Sequence, residues 1–196
     1  MPRLILATRN AHKTREFAEI LGGGFVVSDL TGMENVPLVE ETGATFEENA
    51  ILKALSASRS LPGFVVSDDS GLEVALLGGA PGVRSARYAG ENATDGENVA
   101  KVLAELRKKG AATRECAACF QCVLALAEAG EIVRTFHGTV RVSIVPTPRG
   151  ARGFGYDPVF VPEGHTQTFA ELGSAVKNRL SHRAQAIARL RDYFVG

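Results

Sequence analysis

Phe64-Val65-Val66 is a short apolar, β-branched run that leads almost directly into two adjacent acids, Asp68 and Asp69. The run reads as a buried strand, so the fold has to place two carboxylates at the edge of its own core. Side chains alternate across a strand, and the two acids share a direction only if the strand ends there. Ser70-Gly71 follow, residue types at home in turns, so the strand is expected to stop at an acidic turn. Acids at a strand end, beside a small hydroxyl, can face a cleft, where hard oxygen donors suit Mg²⁺. An acidic turn that simply caps a strand accounts for the same residues.

The rest of the chain alternates helix and strand patterns. Arg3 to Ala7 reads as a strand, followed by a helix from about Asn10 to Leu21 that Gly22-Gly23-Gly24 ends. A short strand over Phe25 to Ser28 precedes a polar loop, Leu30 to Gly43, carrying Glu40 and Glu41. Thr45-Phe46-Glu47-Glu48 is a capping box that opens a helix to about Ser60, and Thr94-Asp95-Gly96-Glu97 opens another to Lys109. Gly78 to Gly82 is a loop. Glu115 to Ala127 and Ile132 to Val145 flank Ala129-Gly130 as an antiparallel hairpin. Pro146 to Gly155 is a loop, Val159 to Val161 a short strand, and Ser181 to Phe194 a last helix. With no internal repeat or linker, residues 1–196 read as a single mixed α/β domain with parallel and antiparallel pairing.

At 196 residues, 45% of them hydrophobic, the chain has material for one sizeable core, with room for two lobes. Lys and Arg balance Asp and Glu at net charge zero, whereas grip on long nucleic acid usually needs a basic excess. The expected partner is therefore a small, locally bound anion and not polymeric nucleic acid. No stretch approaches the roughly 20 apolar residues of a membrane span, and the apolar run within Met1 to Ala7 is too short for a signal-peptide core. No membrane partner is expected, and the cytoplasm is the expected location. Cys116, Cys119 and Cys122 have CxxCxxC spacing, but a strand through them puts Cys119 on the opposite face, which reads as packing and not a zinc set.

Four further clusters carry chemistry. In Thr8-Arg9-Asn10-Ala11-His12-Lys13, helix-start amides and Lys13 favour an anion; a Thr or Asn N-cap with solvated basic residues is the plainer account. In Gly43 to Ala54, Glu47, Asn49 and Lys53 fall on a helix just after Glu40-Glu41. Acids here can join Asp68 and Asp69 around a metal; helix-cap chemistry accounts for Glu48 but not for Glu41 in its loop. Gly153-Phe154-Gly155-Tyr156-Asp157-Pro158 offers rings and an acid that suit a purine, or else a glycine-rich turn with core aromatics. Lys177-Asn178-Arg179-Leu180-Ser181-His182-Arg183 meets the start of the last helix, where cations oppose the dipole, which suggests function or a solvated basic face.

Six blocks follow one another from near residue 8 to near residue 183: Thr8-x-Asn10-x-x-Lys13; Gly43-x-Thr45-Phe46-x-Glu48-Asn49-Ala50-x-x-Lys53-Ala54; Asp68-Asp69-Ser70-Gly71-Leu72; Pro81-Gly82-Val83-x-Ser85-Ala86-Arg87-Tyr88; Phe154-Gly155-Tyr156-Asp157-Pro158-x-Phe160; and Ser181-His182-Arg183. Together and in this order they resemble the inosine triphosphate pyrophosphatase family, hydrolases of non-standard purine nucleoside triphosphates. The resemblance implies an elongated, twisted mixed sheet flanked by helices, with two lobes and a central cleft. It implies a homodimer and Mg²⁺-dependent hydrolysis of ITP, dITP and XTP to the monophosphate and pyrophosphate.

By the same resemblance, Asp69 is the proton acceptor and a metal ligand, with Glu41 the main second acid and Glu40 and Asp68 as neighbours. Thr8, Asn10, Lys13 and Ser70 bind the triphosphate, and Arg9, Ala11 and His12 are further substrate-binding residues. Phe154, Gly155 and Tyr156 pack around the purine, Asp157 accepts an N–H, and Lys177, His182 and Arg183 complete the site, Arg183 as a donor to the purine keto oxygen. Some positions depart from the family pattern. Arg9 stands where a small residue is common, Arg84 where an aromatic is common and Arg152 where glycine is common, while Ala175-Val176 precede Lys177 where acids are frequent. A related pyrophosphatase acting on other modified nucleotides, and a non-catalytic nucleotide-binding sensor, are the alternative functions.

Overall fold

The computed structural model describes residues 1–196 apart from Leu38, which falls in the loop expected from Leu30 to Gly43, and Arg114. Among the described residues, six strands form one mixed sheet in the order β2-β1-β3-β4-β5-β6. They are β1 (Arg3–Leu6), β2 (Val26–Asp29), β3 (Phe64–Val74), β4 (Cys116–Glu128), β5 (Glu131–Ile144) and β6 (Phe160–Pro162). β1 pairs in parallel with β2 and β3, with Leu4 opposite both Val27 and Phe64, while β6 runs antiparallel to β5. The helices are α1 (Ala11–Leu21), α2 (Phe46–Ser58), α3 (Asp95–Lys108), α4 (Phe169–Leu172), α5 (Ser174–Leu180) and α6 (His182–Val195).

The chain divides into two compact units. The first comprises Met1–Asp69, Cys122–Gly138 and Arg183–Gly196; the second comprises Ser70–Gln121 and Thr139–His182. In the first, Leu4, Leu6, Phe17, Val66, Leu124, Leu126, Ile187 and Leu190 form the main apolar cluster, joining β1, β3 and β4 to α1 and α6. Val65, on the other face of β3, packs with Leu30, Val36 and Ala57 of the α2 side. In the second, Leu72, Val74, Val102, Leu106, Ile144, Tyr156, Phe160 and Phe169 make a separate core.

Local chemistry sets most boundaries. Both expected capping boxes are present, with Thr45 Oγ accepting from Glu48 N and Thr94 Oγ from Glu97 N, each answered by the Glu side chain. The β4–β5 turn falls at Ala129-Gly130, both with positive φ, the backbone that two-residue hairpin turns require.

Two expectations need correction. β3 does not stop at an acidic turn: it continues through Asp68, Asp69, Ser70 and Gly71 to Val74. Leu72 and Val74 are wholly buried, and their burial with the sheet hydrogen bonds outweighs the weak turn preference of Ser-Gly. The block 177–183 is likewise not one helix start. Lys177 and Arg179 lie in the last turn of the separate helix α5, where cations suit the dipole, and extended Ser181 breaks the chain before α6. The preceding α4 opens on a third capping box, Thr168 to Glu171.

Candidate active site

Because β3 runs on, Asp68 and Asp69 point to opposite faces of the first unit, and each meets a different set of partners. Asp69 faces α2. Its Oδ1 accepts from Lys53 Nζ at 2.7 Å, and the same ammonium donates to Glu41 Oε1 at 2.8 Å and to the Asp68 carbonyl at 3.0 Å. The three N–H donors of Lys53 are thereby matched by three acceptors. Asp69 is 6% exposed, and its Oδ2 is buried with no hydrogen-bond partner among the described residues. Burial pushes the Asp69 carboxyl above the ordinary range, and Lys53 only partly offsets it. Burial also opposes charge on Lys53, but Asp69 and Glu41 outweigh it and raise the ammonium's pKa.

The helix start positions Glu41. Buried Asn49 accepts from the Gly43 N–H at 2.7 Å, and a Cβ at Gly43 would lie 2.7 Å from Asn49 Oδ1 and from Glu48 Cβ. Only glycine allows the loop to lie this close to α2, two residues from Glu41. Glu48 Oε2 caps the Ala44 and Thr45 amides, while Glu47 turns to Thr135, so neither joins the acids. Glu40 is exposed.

Asp68 lies in a closed network. Oδ1 accepts from Lys13 Nζ at 2.6 Å and Arg183 Nη2 at 3.3 Å; Oδ2 accepts from Arg183 Nε at 2.8 Å and Cys122 Sγ at 3.4 Å. Arg183, 2% exposed, also pairs through Nη1 with buried Glu16. Burial alone would raise the Asp68 pKa, but Arg183 and Lys13 hold it well below the usual carboxylate range. Arg183 is itself held charged against burial by Asp68 and Glu16. The guanidinium expected to reach a purine is thus turned inward onto two carboxylates.

In the block from Thr8 to Lys13, Thr8 Oγ accepts from the Asn10 N–H, and Asn10 Oδ1 caps α1 through the amides of His12 and Lys13. Arg9 donates to the Met33 and Val36 carbonyls and so tethers the following loop. Ala11 and His12 are exposed at the first turn of the helix.

In the second unit, Asp157 Oδ2 accepts from the Phe154 N–H at 3.0 Å and from Lys177 Nζ at 2.7 Å, and that ammonium lies 4.0 Å over the Phe154 ring. Gly153 has φ +79°, and a Cβ there would lie 2.1 Å from Asp157 Oδ2, so the turn requires glycine. Gly155 N–H donates to Asp95 Oδ2 at 2.6 Å. Tyr156 is buried, its phenol donates to the Ser85 carbonyl at 2.8 Å, and burial raises its pKa. His182 is buried with its ring centroid 4.2 Å from that of Phe120. Ser70 is half-buried on β3.

The profile of the Ham1 family matches residues 4–193. The chain belongs to the Ham1 family. It is 47% identical over 191 residues to a dITP/XTP pyrophosphatase of Bacillus licheniformis, covering 97% of this chain and 96% of that one. Its structure is similar to that of a HAM1 protein from Coxiella burnetii, with a TM-score of 0.88, 42% identity, and coverage of 100% and 99%. The Staphylococcus aureus Ham1 protein aligns with a TM-score of 0.86 at 39% identity, covering 99% of this chain and 98% of that one.

In this Ham1 chain the first unit gathers Lys13, Glu41, Asp68, Asp69 and Arg183, while the second gathers Phe154, Tyr156, Asp157, Lys177 and Asp95. Lys53 and Glu16 hold central places that the sequence reading did not assign. Lys53 had a signal, being the one cation on a helix beside two groups of acids. Glu16 sits in an ordinary amphipathic helix pattern, and nothing local marks it. Among the described residues, no group of three or more His, Cys, Asp and Glu side chains is arranged to hold a metal.

Proposed function

We propose that this chain hydrolyses non-standard purine nucleoside triphosphates, ITP, dITP and XTP, to the nucleoside monophosphate and pyrophosphate. Membership of the Ham1 family and the dITP/XTP pyrophosphatases among its relatives support the reaction class. The observation that carries the assignment of chemistry is Asp69: a buried carboxylate with one oxygen held by Lys53 and the other without a hydrogen-bond partner among the described residues.

The second oxygen of Asp69 takes a proton from the attacking water. A carboxyl raised by burial is a stronger base than an exposed one, closer to the pKa that proton transfer near neutrality favours. Lys53 keeps the carboxylate oriented and holds Glu41 beside it. The donors fit Mg²⁺ better than a metal that needs a full protein cage, since Mg²⁺ is commonly held by one or two carboxylates together with substrate phosphate and water. Asp69 and Glu41 would hold it; Asp68 is committed to Lys13 and Arg183, and Glu40 is exposed. When bound, Mg²⁺ supplies charge neutralisation on the phosphates. Lys13 and the capped start of α1, with Thr8 and Asn10, receive the triphosphate. Arg183 serves through Asp68 by fixing β3.

In the second unit Phe154 and Tyr156 hold the purine and Asp157 accepts an N–H, with Lys177 and His182 beside them. A donor that meets the keto oxygen of hypoxanthine or xanthine meets an amine in adenine, and one such buried mismatch costs on the order of 1–3 kcal/mol. The homodimer and cytoplasmic location implied by the resemblance form part of this reading. Light scattering tests the first, with the monomer mass as the result against it.

A panel of nucleoside triphosphates incubated with Mg²⁺ tests the activity. Pyrophosphate and IMP from ITP, with ATP spared, is the expected result. Orthophosphate release, or equal turnover of ITP and ATP, would overturn the reading.

A further inference from the structure

Phe154 sits between two anchored peptide groups. Its own N–H is held by Asp157 Oδ2, and the next N–H, of Gly155, is held by Asp95 Oδ2 at 2.6 Å from 60 residues away. Fixing the amides on both sides of one Cα fixes its φ and ψ, and with them the direction of the Cα–Cβ bond that carries the ring. Asp157 also pairs with Lys177, whereas Asp95 is the first residue of α3, behind the N-cap Thr94.

A cavity of about 460 Å³ has Asp95, Val99 and Leu103 of α3 on one side and Gly153, Phe154 and Pro158 on the other. α3 itself is well placed to act as a fixed post. Its buried Asn98 accepts from the Ala89 N–H and donates to the Ala86 carbonyl, and the neighbouring Ser85 carbonyl receives the Tyr156 phenol. Asn98 thus ties α3 to segment 85–89, and Asp95 ties it to the loop.

We propose that Asp95 is a positioning residue for the purine-binding loop: by holding the Gly155 amide it sets the pose of Phe154 and tunes affinity for the base without touching substrate. The proposal rests on the assignment of this loop to the purine, and two measurements separate a failure of either.

The first uses three variants. Asp95→Ala removes both acceptor and charge. Asp95→Glu keeps the charge at the helix start but displaces the acceptor, and Asp95→Asn keeps an acceptor and loses the charge. The expected result is a KM for ITP raised roughly three- to tenfold in Ala and Glu, as for the loss of one charge-assisted hydrogen bond, with kcat changed less than about twofold, and most of the loss recovered in Asn. Glu behaving as wild type while Asn matches Ala would reduce Asp95 to a helix-dipole charge and overturn the proposal. An unchanged KM in all three, with the motion of the loop unchanged as well, would do the same.

The second measurement needs no activity. The chain has no tryptophan, so Phe154→Trp introduces a single indole in the loop. Its fluorescence anisotropy decay should show wider local motion with Asp95→Ala, and less with Asp95→Asn. Identical decay in all backgrounds means that Asp95 does not order the loop. Altered decay with unaltered KM means that it orders the loop but the loop does not bind the purine.

Discussion

Asp68 and Asp69 are neighbours in one strand and differ in almost every physical respect. Asp68 has both oxygens engaged by Lys13, Arg183 and Cys122, and its pKa is held well below the usual range. Asp69 has one oxygen on Lys53 and one buried without a hydrogen-bond partner among the described residues, and its pKa is raised. Both are buried to a similar degree, so burial does not distinguish them. The difference lies in whether positive charge fully compensates the carboxylate. Alternation along β3 is what allows adjacent residues to have such different surroundings, and the proposed roles, Asp68 as anchor and Asp69 as base, follow that difference.

The largest expected effect tests the Asp69 side. Asp69→Asn keeps the shape and removes the basic carboxylate, so kcat for ITP should fall by about 10³-fold or more while the thermal midpoint shifts little. Pyrophosphate release and a circular-dichroism melt check this, and a folded variant with near-normal turnover would remove Asp69 from the chemistry. On the Asp68 side the damage should appear in stability. Arg183→Ala leaves Asp68 and Glu16 buried without their guanidinium, a loss of about 3–5 kcal/mol in urea unfolding. A loss below about 1 kcal/mol would show that Arg183 is not the closing member of that network.

Asp68→Asn should cost about 2–3 kcal/mol near neutrality, the worth of a hydrogen bond to charged groups, and the cost should depend on pH in a defined direction. A carboxyl with a depressed folded pKa contributes stability above its unfolded value of about 3.9, and that contribution is lost as pH falls through the lower, folded value. The gap between wild type and Asp68→Asn should therefore be flat near neutral pH and close only below about pH 4. A gap that widened on acidification would contradict the assignment. The smallest effect concerns Lys13, which Asp68 holds in place. Lys13→Ala should raise the KM for ITP about tenfold while leaving the ITP-to-ATP ratio within about twofold, because an ammonium on phosphate carries no base information. A collapse of that ratio would place Lys13 at the base.

Much of this was legible in the chain. The two capping boxes, the glycine stop after α1 and the Ala129-Gly130 hairpin are all short-range chemistry. The acids were visible too, and so was the likelihood of opposite directions if the strand continued; the turn signal of Ser70-Gly71 pointed the other way, and burial of Leu72 and Val74 overrode it. The roles of Arg183 and Glu16 were not legible, because their contact joins residues 167 positions apart. Nor was Asp95, which looks in sequence like an ordinary first-turn acid.

The sequence by itself determined most local states and the family, through cap residues, turn glycines and six ordered blocks, since each depends on neighbours a few residues away. Only the tertiary structure decided which carboxylate is neutralised and which is left under-compensated. Charge compensation in a buried site depends on the cations that α1, α2 and α6 bring to the two faces of β3, and no local pattern encodes that meeting.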